Sequence, residues 1–502
     1  MKTFIDALRR GVSVAPGRDA VVDGDTHLTF LELEDRARRL TAAMRSLGLE
    51  PGDRVALLLA NGHRYIECYV ALPAAGFVIV PLNSRLSEAE LRYILVDAGA
   101  RVLITDRVTG VDDVVERVVR IPDEYDDLIA ATPGAAVVTT DVAEDSLAGL
   151  FYTGGTTGPA KGVMLTHRSL VANMWNTLVH TGLSPDDRFL VIAPMFHAAG
   201  TVAVLACLAL GASEVTVPAF EPALVLDTIE AERATVTLAV PTMLVALIEE
   251  QRRHRRDTSS LRMICHGASP IAVETLRRCR EAFPTAALTH LYGATETAPL
   301  ATALTDEQLH LDGPLARSCG QAVVGVEIAI EGADGTAAGP GDVGEVVIRG
   351  PNLMTGYWNK PDETSAALRD GWYHSGDLGY VDDHGYLFLV DRAKDMIITG
   401  GENVYSTEVE QALMSHPAVL ECAVYGIPHE TWGEAVAASL VLTETVPVDE
   451  LQDHCRGLIA GFKVPRHIDA VDALPKSAAG KILKRELREP YWAGRDVRVG
   501  GS

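Results

Sequence analysis

Short apolar segments alternate with helix-like segments along most of the first 390 residues, and this alternation constrains the fold more than any other feature. The apolar runs are bounded by turn-forming residues and lie at 54–60, 77–82, 101–105, 189–193, 214–218 and 235–239. Strands that are apolar on both faces are typical of parallel sheets covered by helices. Closer-spaced strands with Gly and Asp turns follow at 327–330, 344–349 and 385–390, and they predict antiparallel structure in a distorted β-barrel.

A chain of 502 residues is too long for one compact core, and its pattern changes near Asp391. The elements predicted after this point are a helix at 408–414, strands at 419–424 and 437–442, and a helix through Cys455. We therefore predict an α/β protein with a large N-terminal domain of parallel α/β sheets plus the barrel (residues 1–391). A small C-terminal α+β domain (395–502) would follow a hinge at 392–394.

The charge distribution excludes some classes of partner. The formal net charge of −24 argues against a general nucleic-acid binder and against docking on an anionic membrane surface. The segment 456–488 differs, because it holds eight Lys/Arg against three Asp/Glu. This segment is predicted to meet phosphates, whereas Lys476 and Lys484 within it are expected to be solvated.

Cysteine usage and hydropathy indicate the compartment. The seven cysteines are scattered, odd in number and without a CxxC pair, which favours a reduced protein. The first twenty residues lack the apolar stretch of a secretory signal, and the most apolar run, 202–212, is about half the length of a membrane span. We predict a cytoplasmic protein without an integral membrane segment, for which a homodimer is plausible.

The most informative stretch is residues 152–163, Tyr-Thr-Gly-Gly-Thr-Thr-Gly-Pro-Ala-Lys-Gly-Val. It follows a predicted strand at 147–152 and precedes a helix expected to open near Thr166. Small residues let backbone N–H groups approach anionic oxygens, while Thr hydroxyls and a Lys add donors. The loop is not a Walker A motif, which requires Gly-Lys-Ser/Thr. Phosphate binding is predicted for Thr153, Gly154, Gly155, Thr156, Thr157, Gly158 and Lys161.

This loop resembles the signature of the adenylate-forming superfamily, which includes acyl-CoA synthetases, peptide-synthetase adenylation domains and firefly luciferase. Gly154 and Ala160 stand where the family signature has Ser and Pro. Further matches follow in the family's order over almost the whole chain. Residues 291–297, Leu-Tyr-Gly-Ala-Thr-Glu-Thr, resemble the adenine and magnesium turn, which implies that Tyr292 packs on adenine, Thr295 touches the α-phosphate and Glu296 ligates Mg²⁺.

The same resemblance implies roles for other segments. In Trp-Tyr-His-Ser-Gly-Asp (372–377), Asp377 would bind both ribose hydroxyls, with Arg392 nearby and Lys394 as the hinge. Lys481, in Leu-Pro-Lys-Ser-Ala-Ala-Gly-Lys (474–481), would be the adenylation lysine. Further nucleotide contacts are implied for Gly267, Ala268, Gly293 and Ala294; acyl-pocket contacts for His197, Ala198, Thr201, Gly267 and Ala294; and CoA contacts for Gly400, Gly401, Trp432, Phe462 and Lys463.

The resemblance implies an ATP- and Mg²⁺-dependent acyl-CoA synthetase. It would convert a carboxylic acid to acyl-AMP and then transfer the acyl group to CoA, releasing AMP and pyrophosphate. The small and apolar residues of the pocket favour an apolar acid: a medium or long fatty acid first, then an aromatic acid of the cinnamate or ferulate type, then a specialised-metabolite acid. Two alternatives stay open, an enzyme that loads a carrier protein and a non-catalytic binder of ATP or acyl-AMP.

Overall fold

The computed structural model describes residues 1–132, 142–153, 159–392, 395–477 and 482–493. Its strands, in chain order, are β1 (Asp19–Asp23), β2 (Thr26–Thr29), β3 (Arg54–Leu58), β4 (Val78–Pro81), β5 (Ala100–Thr105), β6 (Arg117–Arg120), β7 (Leu147–Thr153), β8 (Lys161–Thr166), β9 (Arg188–Val191), β10 (Ser213–Thr216), β11 (Val236–Ala239), β12 (Met263–Gly267), β13 (Ala287–Tyr292), β14 (Thr302–Leu304), β15 (Gln321–Ala322), β16 (Glu327–Glu331), β17 (Gly344–Arg349), β18 (Leu368–Arg369), β19 (Trp372–Val381), β20 (Leu387–Arg392), β21 (Ile397–Thr399), β22 (Glu402–Val404), β23 (Val419–His429), β24 (Gly433–Leu442) and β25 (His467–Ala470).

The α-helices alternate with these strands over most of the chain up to β13, as the apolar pattern predicts. They are α1 (Phe4–Val14), α2 (Phe30–Ser46), α3 (His63–Ala74), α4 (Glu88–Ala98), α5 (Asp123–Ala131), α6 (His167–Thr181), α7 (Val204–Leu210), α8 (Pro222–Glu232), α9 (Pro241–Arg253), α10 (Val273–Ala282), α11 (Pro361–Ala367), α12 (Ser406–Met414), α13 (Val448–Arg456) and α14 (Lys484–Trp492).

Two mixed sheets form the N-terminal part of the fold. The nine-stranded sheet has the order β15-β14-β13-β12-β11-β9-β10-β1-β2, and its strands from β13 to β1 run parallel. The six-stranded sheet, β6-β5-β3-β4-β7-β8, is parallel except for the β7–β8 pair. Their central strands are buried on both faces. The prediction of parallel α/β sheets is therefore confirmed.

The third sheet has a different architecture. Strands β16, β17, β19 and β18 pair in that order, β20 pairs with β19, and every pair is antiparallel. Register shifts in the β17–β19 and β19–β20 pairs bend the sheet into a curled half-barrel. The predicted barrel-like antiparallel region is thus present, and it carries Asp377 and Arg392 on neighbouring strands.

The C-terminal part is a small α+β unit with its own core. Its sheet has the order β22-β21-β24-β23, with β25 parallel to β24. Helices α12 and α13 contribute Val409, Leu413 and Leu451 to an apolar cluster that includes Val424 and Leu440. A separate C-terminal domain is confirmed, whereas its limits at 391 and 395 stay predictions.

The apolar run 202–212 falls mainly in α7. This helix is buried and lies against α1, α6 and β10. In the described ranges, no helix combines the length and apolar character that crossing a membrane requires. All seven cysteines are buried and unpaired.

Candidate active site

Several predicted site residues lie where parallel strands of the nine-stranded sheet end. Strand β9 leads into the loop that carries His197, β12 ends at Gly267, and β13 ends at Tyr292. Strands β13, β12, β11 and β9 are neighbours in that order and run in the same direction. Their carboxyl ends therefore share one edge, which is the place where open α/β sheets bind ligands.

The backbone at this edge is too crowded for side chains at two glycines. A Cβ added at Gly267 would lie 2.0 Å from the carbonyl oxygen of Leu291, and one at Gly293 would lie 1.9 Å from that of Pro299. Ala268 adopts a left-handed conformation, with φ of 68°. A side chain at 267 would thus force β12 away from β13, and one at 293 would distort the Thr295–Thr297 turn that follows β13.

Tyr292, Asp377 and Arg392 form one polar cluster. The Tyr292 hydroxyl donates to Asp377 Oδ2 at 2.8 Å, and Arg392 Nε lies 3.1 Å from Asp377 Oδ1. Burial and the charge of Asp377 raise the pKa of Tyr292 well above its ordinary value, so the phenol stays a donor. Because a carboxylate accepts about four hydrogen bonds, Asp377 keeps acceptor capacity for the hydroxyls of a sugar.

A second cluster joins Lys161 to Glu296. The Lys161 ammonium lies 4.4 Å from the centre of the Tyr357 ring, and the Tyr357 hydroxyl donates to Glu296 Oε1 at 2.8 Å. Burial, followed by the charge of Glu296, raises the pKa of Tyr357. A cation from the phosphate loop and a carboxylate from the β13 turn thus meet on one tyrosine, which sequence analysis did not identify.

The glycine-rich loop closes a hairpin between β7 and β8, in which Thr153 pairs with Lys161. The helix expected to open near Thr166 is confirmed, but the strand between it and the loop was not predicted. Strand β8 lies between the loop and α6, which begins at His167 and is capped by the Thr166 side chain, which accepts from the Ser169 backbone N–H. Seven predicted residues lie outside the described ranges: Gly154, Gly155, Thr156, Thr157, Gly158, Lys394 and Lys481.

His197 belongs to a loop that Asn61 holds in place. The Asn61 side chain donates to the carbonyl of Ala193 at 3.0 Å and accepts from the backbone N–H of Met195 at 2.9 Å. The His197 ring packs on Phe196 with centroids 4.9 Å apart, and the 3₁₀ turn Ala198–Thr201 follows directly. Ala198 and Thr201 are buried, so this turn forms a compact wall next to the strand edge.

The residues predicted to contact CoA divide into two groups. Gly400 and Gly401 form the β21–β22 turn, and both have left-handed φ, 61° and 86°. The Gly400 N–H donates to the carbonyl of Trp432 at 2.9 Å. The Trp432 ring stacks on His429 at 4.0 Å and carries the Arg466 guanidinium at 3.9 Å. This Trp432–Arg466 stack offers a flat, cationic surface beside the glycine turn.

Phe462 and Lys463 form the second group, and here the charge is already neutralised. Lys463 Nζ bonds both carboxylate oxygens of Glu408, at 2.8 and 2.7 Å, while Phe462 is 41% exposed. The expectation that Lys484 is solvated is wrong, because its side chain is 17% exposed and pairs with Glu410 at 2.7 Å, whereas Lys476 is exposed as expected and pairs with Glu421 at 2.6 Å. Acidic residues of the C-terminal sheet and of α12 lie close enough to pair them, which a count of charges along the chain does not reveal.

Oxygen and cationic groups at the strand edge suit a magnesium nucleotide. Glu296 and the Thr295 hydroxyl are hard oxygen donors, which Mg²⁺ prefers, and both are half-buried. Lys161 lies beside them for phosphate, and Asp377 for ribose. The residues present therefore fit MgATP.

Comparison with known proteins agrees with this geometry. The AMP-binding enzyme family matches residues 8–358, and the AMP-binding enzyme C-terminal domain matches residues 408–481. A feruloyl-CoA synthase from an Amycolatopsis species is 40% identical over 96% of this chain and 98% of its own length. A fatty acid–[acyl-carrier-protein] ligase from Streptomyces coeruleorubidus is 36% identical over 99% and 98%. The o-succinylbenzoate CoA synthetase of Bacillus subtilis, solved with its acyl-adenylate intermediate, superposes with a TM-score of 0.85 at 32% identity over 99% of both chains; it has also been solved with ATP and magnesium.

Proposed function

The chain belongs to the AMP-binding enzyme family, and we propose that it joins an apolar, preferably aromatic, carboxylic acid to CoA. The reaction proceeds through acyl-AMP and releases pyrophosphate and AMP. The observation that carries this proposal is that Lys161, at the start of β8, and Glu296, after β13, both contact Tyr357, with the Tyr292–Asp377–Arg392 cluster on the half-barrel. It supports a site for phosphate, divalent cation and ribose together.

In the first step the chain positions the carboxylate of the acid next to the α-phosphate of ATP, and both groups are negatively charged. MgATP, when bound, supplies the α-phosphate that the acid's carboxylate attacks. Asp377 accepts hydrogen bonds from the ribose hydroxyls, Glu296 holds the cation, and Thr295 contacts the α-phosphate. Lys161 and Lys481 offset the repulsion between the negatively charged carboxylate and phosphate. Together with the orientation of the two groups, this lowers the activation barrier of adenylation.

In the second step the C-terminal domain turns about Lys394, withdrawing Lys481 and bringing Gly400 and Gly401 to the acyl group. The glycine turn leaves room for the pantetheine arm, and the thiolate of CoA attacks the acyl carbonyl. Trp432 and Phe462 are the proposed aromatic contacts of CoA. Their present neighbours, Arg466 and Lys463, differ in that only Lys463 is paired with a carboxylate in the described part of the chain.

The relatives alter the order of candidate acids. The sequence alone placed fatty acids before aromatic acids, whereas the 40% identical relative is named for feruloyl-CoA. We therefore place a hydroxycinnamic acid first and a fatty acid second. Loading of a carrier protein stays a second candidate, because one relative is named for that reaction. Location in the cytoplasm and assembly as a homodimer are further parts of the proposal; sedimentation analysis tests the latter.

The deciding experiment is pyrophosphate release across a panel of aromatic, fatty and dicarboxylic acids, with and without CoA. We expect ATP-dependent release with an aromatic acid and thioester formation only when CoA is added. Glu296→Gln should lose activity, whereas Glu327→Gln, at an exposed position of β16, should not. An absence of pyrophosphate with every acid would favour the non-catalytic alternative, and thioester formation on a carrier protein but not on CoA would favour carrier loading.

The acceptor is tested at Arg466. Coenzyme A carries a 3′-phosphate that a guanidinium binds well, and we expect CoA to be used with a lower KM than 3′-dephospho-CoA. Arg466→Ala should narrow this difference, because it should raise the KM for CoA and leave the KM for 3′-dephospho-CoA unchanged. Arg456→Ala is the matched control, since Arg456 pairs with Asp453. Equal KM values for the two acceptors in the wild type would show that this surface does not bind the nucleotide end.

A further inference from the structure

Glu214 is a buried carboxyl group that the proposed mechanism does not use. It lies on β10, between β9 and β1, with 1% of its surface exposed. Neither of its carboxyl oxygens has a hydrogen-bond partner among the described residues. Burial raises the pKa of Glu214 to about 8, so at neutral pH it is mostly a carboxylic acid with one O–H donor and free acceptor capacity. Buried polar groups left without partners are uncommon and call for an explanation.

The surroundings of Glu214 lead back to the acyl pocket. Tyr69 on α3 and Cys207 on α7 lie close enough for the charge of Glu214 to raise their pKa values, after the larger effect of burial. The Tyr69 hydroxyl is hydrogen-bonded to the Thr201 side chain. Thr201 closes the turn that begins after His197. Thr201 and Tyr69 therefore connect the turn after His197 to the surroundings of Glu214.

Sheet register gives the depth of Glu214 below the strand edge. Glu214 pairs with Phe189 on β9, four residues before Ala193, where the His197 loop begins. At about 3.3 Å per residue, this places it roughly 13 Å below the edge at which the acid's carboxylate would react. An extended aromatic acid with a hydroxyl at its far end covers most of this depth, and the length of a hydrogen bond to the Glu214 side chain covers the remainder, whereas a short acid stays too far away.

We propose that Glu214 forms the floor of the acyl pocket and selects aromatic acids that carry a hydroxyl group at the end far from the carboxylate. This inference rests on the proposed function. The neutral carboxyl group donates one hydrogen bond to the ligand hydroxyl and accepts one from it, which pairs polar groups that are otherwise unpartnered. A ligand with a positive charge at its far end is disfavoured. It would ionise Glu214, and the ligand charge and the carboxylate charge would then both be buried, at a large desolvation cost.

The test compares cinnamic acid with 4-hydroxycinnamic acid in wild type, Glu214→Leu and Glu214→Gln. The readout is kcat/KM for pyrophosphate release. We expect wild type to prefer the hydroxylated acid by about tenfold or more, since a site built around a hydroxyl discriminates against its absence. Glu214→Leu should remove the preference, because kcat/KM falls for the hydroxylated acid alone. Glu214→Gln keeps a hydrogen-bond donor and an acceptor and should retain much of the preference.

Three results would overturn the inference while leaving the proposed function intact. The first is an equal kcat/KM for both acids in wild type. The second is an equal fall in kcat/KM for both acids in folded Glu214→Leu, and the third is an unchanged preference in that variant. Should the leucine variant not fold, wild-type discrimination between 4-hydroxy- and 2-hydroxycinnamic acid decides, because only the former places its hydroxyl at the far end; equal use overturns the inference. Absence of pyrophosphate release with every acid would instead refute the proposed function itself.

Discussion

At the scale of single residues, Tyr357 explains how two distant segments come to form one site. Its ring lies under Lys161 and its hydroxyl bonds Glu296, residues 135 positions apart in the sequence. The motifs around Lys161 and Glu296 could be read from the sequence. Tyr357 could not, because its position depends on a bridge between Tyr357 and Val163 that forms only when the barrel packs on β8.

Tyr357→Phe should lower the apparent affinity for magnesium while changing the stability of the fold only slightly. The phenylalanine keeps the ring under Lys161 but removes the donor that orients the Glu296 carboxylate. A hydrogen bond to a charged group contributes about 1.5–3 kcal/mol, so we expect roughly a tenfold or greater rise in the magnesium concentration needed for half-maximal pyrophosphate release. Tyr386→Phe, in the β19–β20 turn, is the control. Identical magnesium curves for the two variants would contradict a positioning role for Tyr357.

Glu214 predicts a pH dependence of stability. Its pKa in the folded protein, about 8, is above the ordinary value of 4.5. The folded protein therefore holds a proton that the unfolded chain releases between these values, and the free energy of unfolding falls as the pH rises from about 5 to 8, by up to about 1.4 kcal/mol per pH unit. Glu214→Gln has no such proton to lose. The Tm of this variant minus the Tm of wild type should therefore increase as the pH rises from about 5 to 8. Glu444→Gln, at an exposed position, should track wild type, and parallel Tm curves for Glu214→Gln would refute the raised pKa.

At the scale of elements, the pattern of apolar runs predicted most strands but not their partners. The strand before the phosphate loop was expected at 147–152 and is found at Leu147–Thr153. Strand β8 was missed because its first residues, Lys161 to Val163, were assigned to the phosphate loop, and its strand character comes from pairing with β7. Likewise, α14 looked like part of a solvated basic tail, whereas its first residue, Lys484, is largely covered between α12 and the end of β20, with 17% of its side chain exposed.

Lys484 ties α14 to the segment that precedes the hinge. Its ammonium bonds Glu410 at 2.7 Å and donates to the Ser406 hydroxyl at 2.6 Å, while that hydroxyl and the Ser406 N–H donate to Asp391. Removing one partner of a fully buried ion pair typically costs about 3–5 kcal/mol, and this pair, with side chains 17% and 15% exposed, should come close to the lower end of that range. Lys484→Met should therefore destabilise the C-terminal domain strongly, as measured by thermal or denaturant unfolding.

Two comparisons test this ion pair. The double variant Lys484→Met/Glu410→Met should recover much of the loss, because no charge is then left buried alone. Lys476→Met breaks the more exposed pair with Glu421 and should cost about 1 kcal/mol or less. If Lys484→Met is no more destabilising than Lys476→Met, the buried network does not anchor α14.

At the scale of the whole molecule, the proposed site residues come from both parts of the chain. Glu296 and Asp377 belong to the sheets of the first 391 residues, whereas Gly400 and Trp432 belong to the C-terminal sheet. The two-part architecture could be predicted from composition and motif order. The relative orientation of the parts could not, because it depends on backbone torsions at a few hinge residues rather than on any periodic pattern.

Two reaction steps that require two domain orientations should be separable by mutation. Proline fixes φ near −65° and removes a backbone donor, so Lys394→Pro should hold the hinge in one orientation. We expect pyrophosphate release to persist and acyl transfer to CoA to fall, whereas Lys394→Ala keeps both steps. Lys481→Ala should do the reverse: it should lose pyrophosphate release from ATP and acid, yet convert supplied acyl-AMP and CoA to thioester, because its charge serves only the meeting of carboxylate and phosphate. Opposite half-reaction losses in the two variants are the signature of domain alternation, and equal loss of both half-reactions in each variant would refute it.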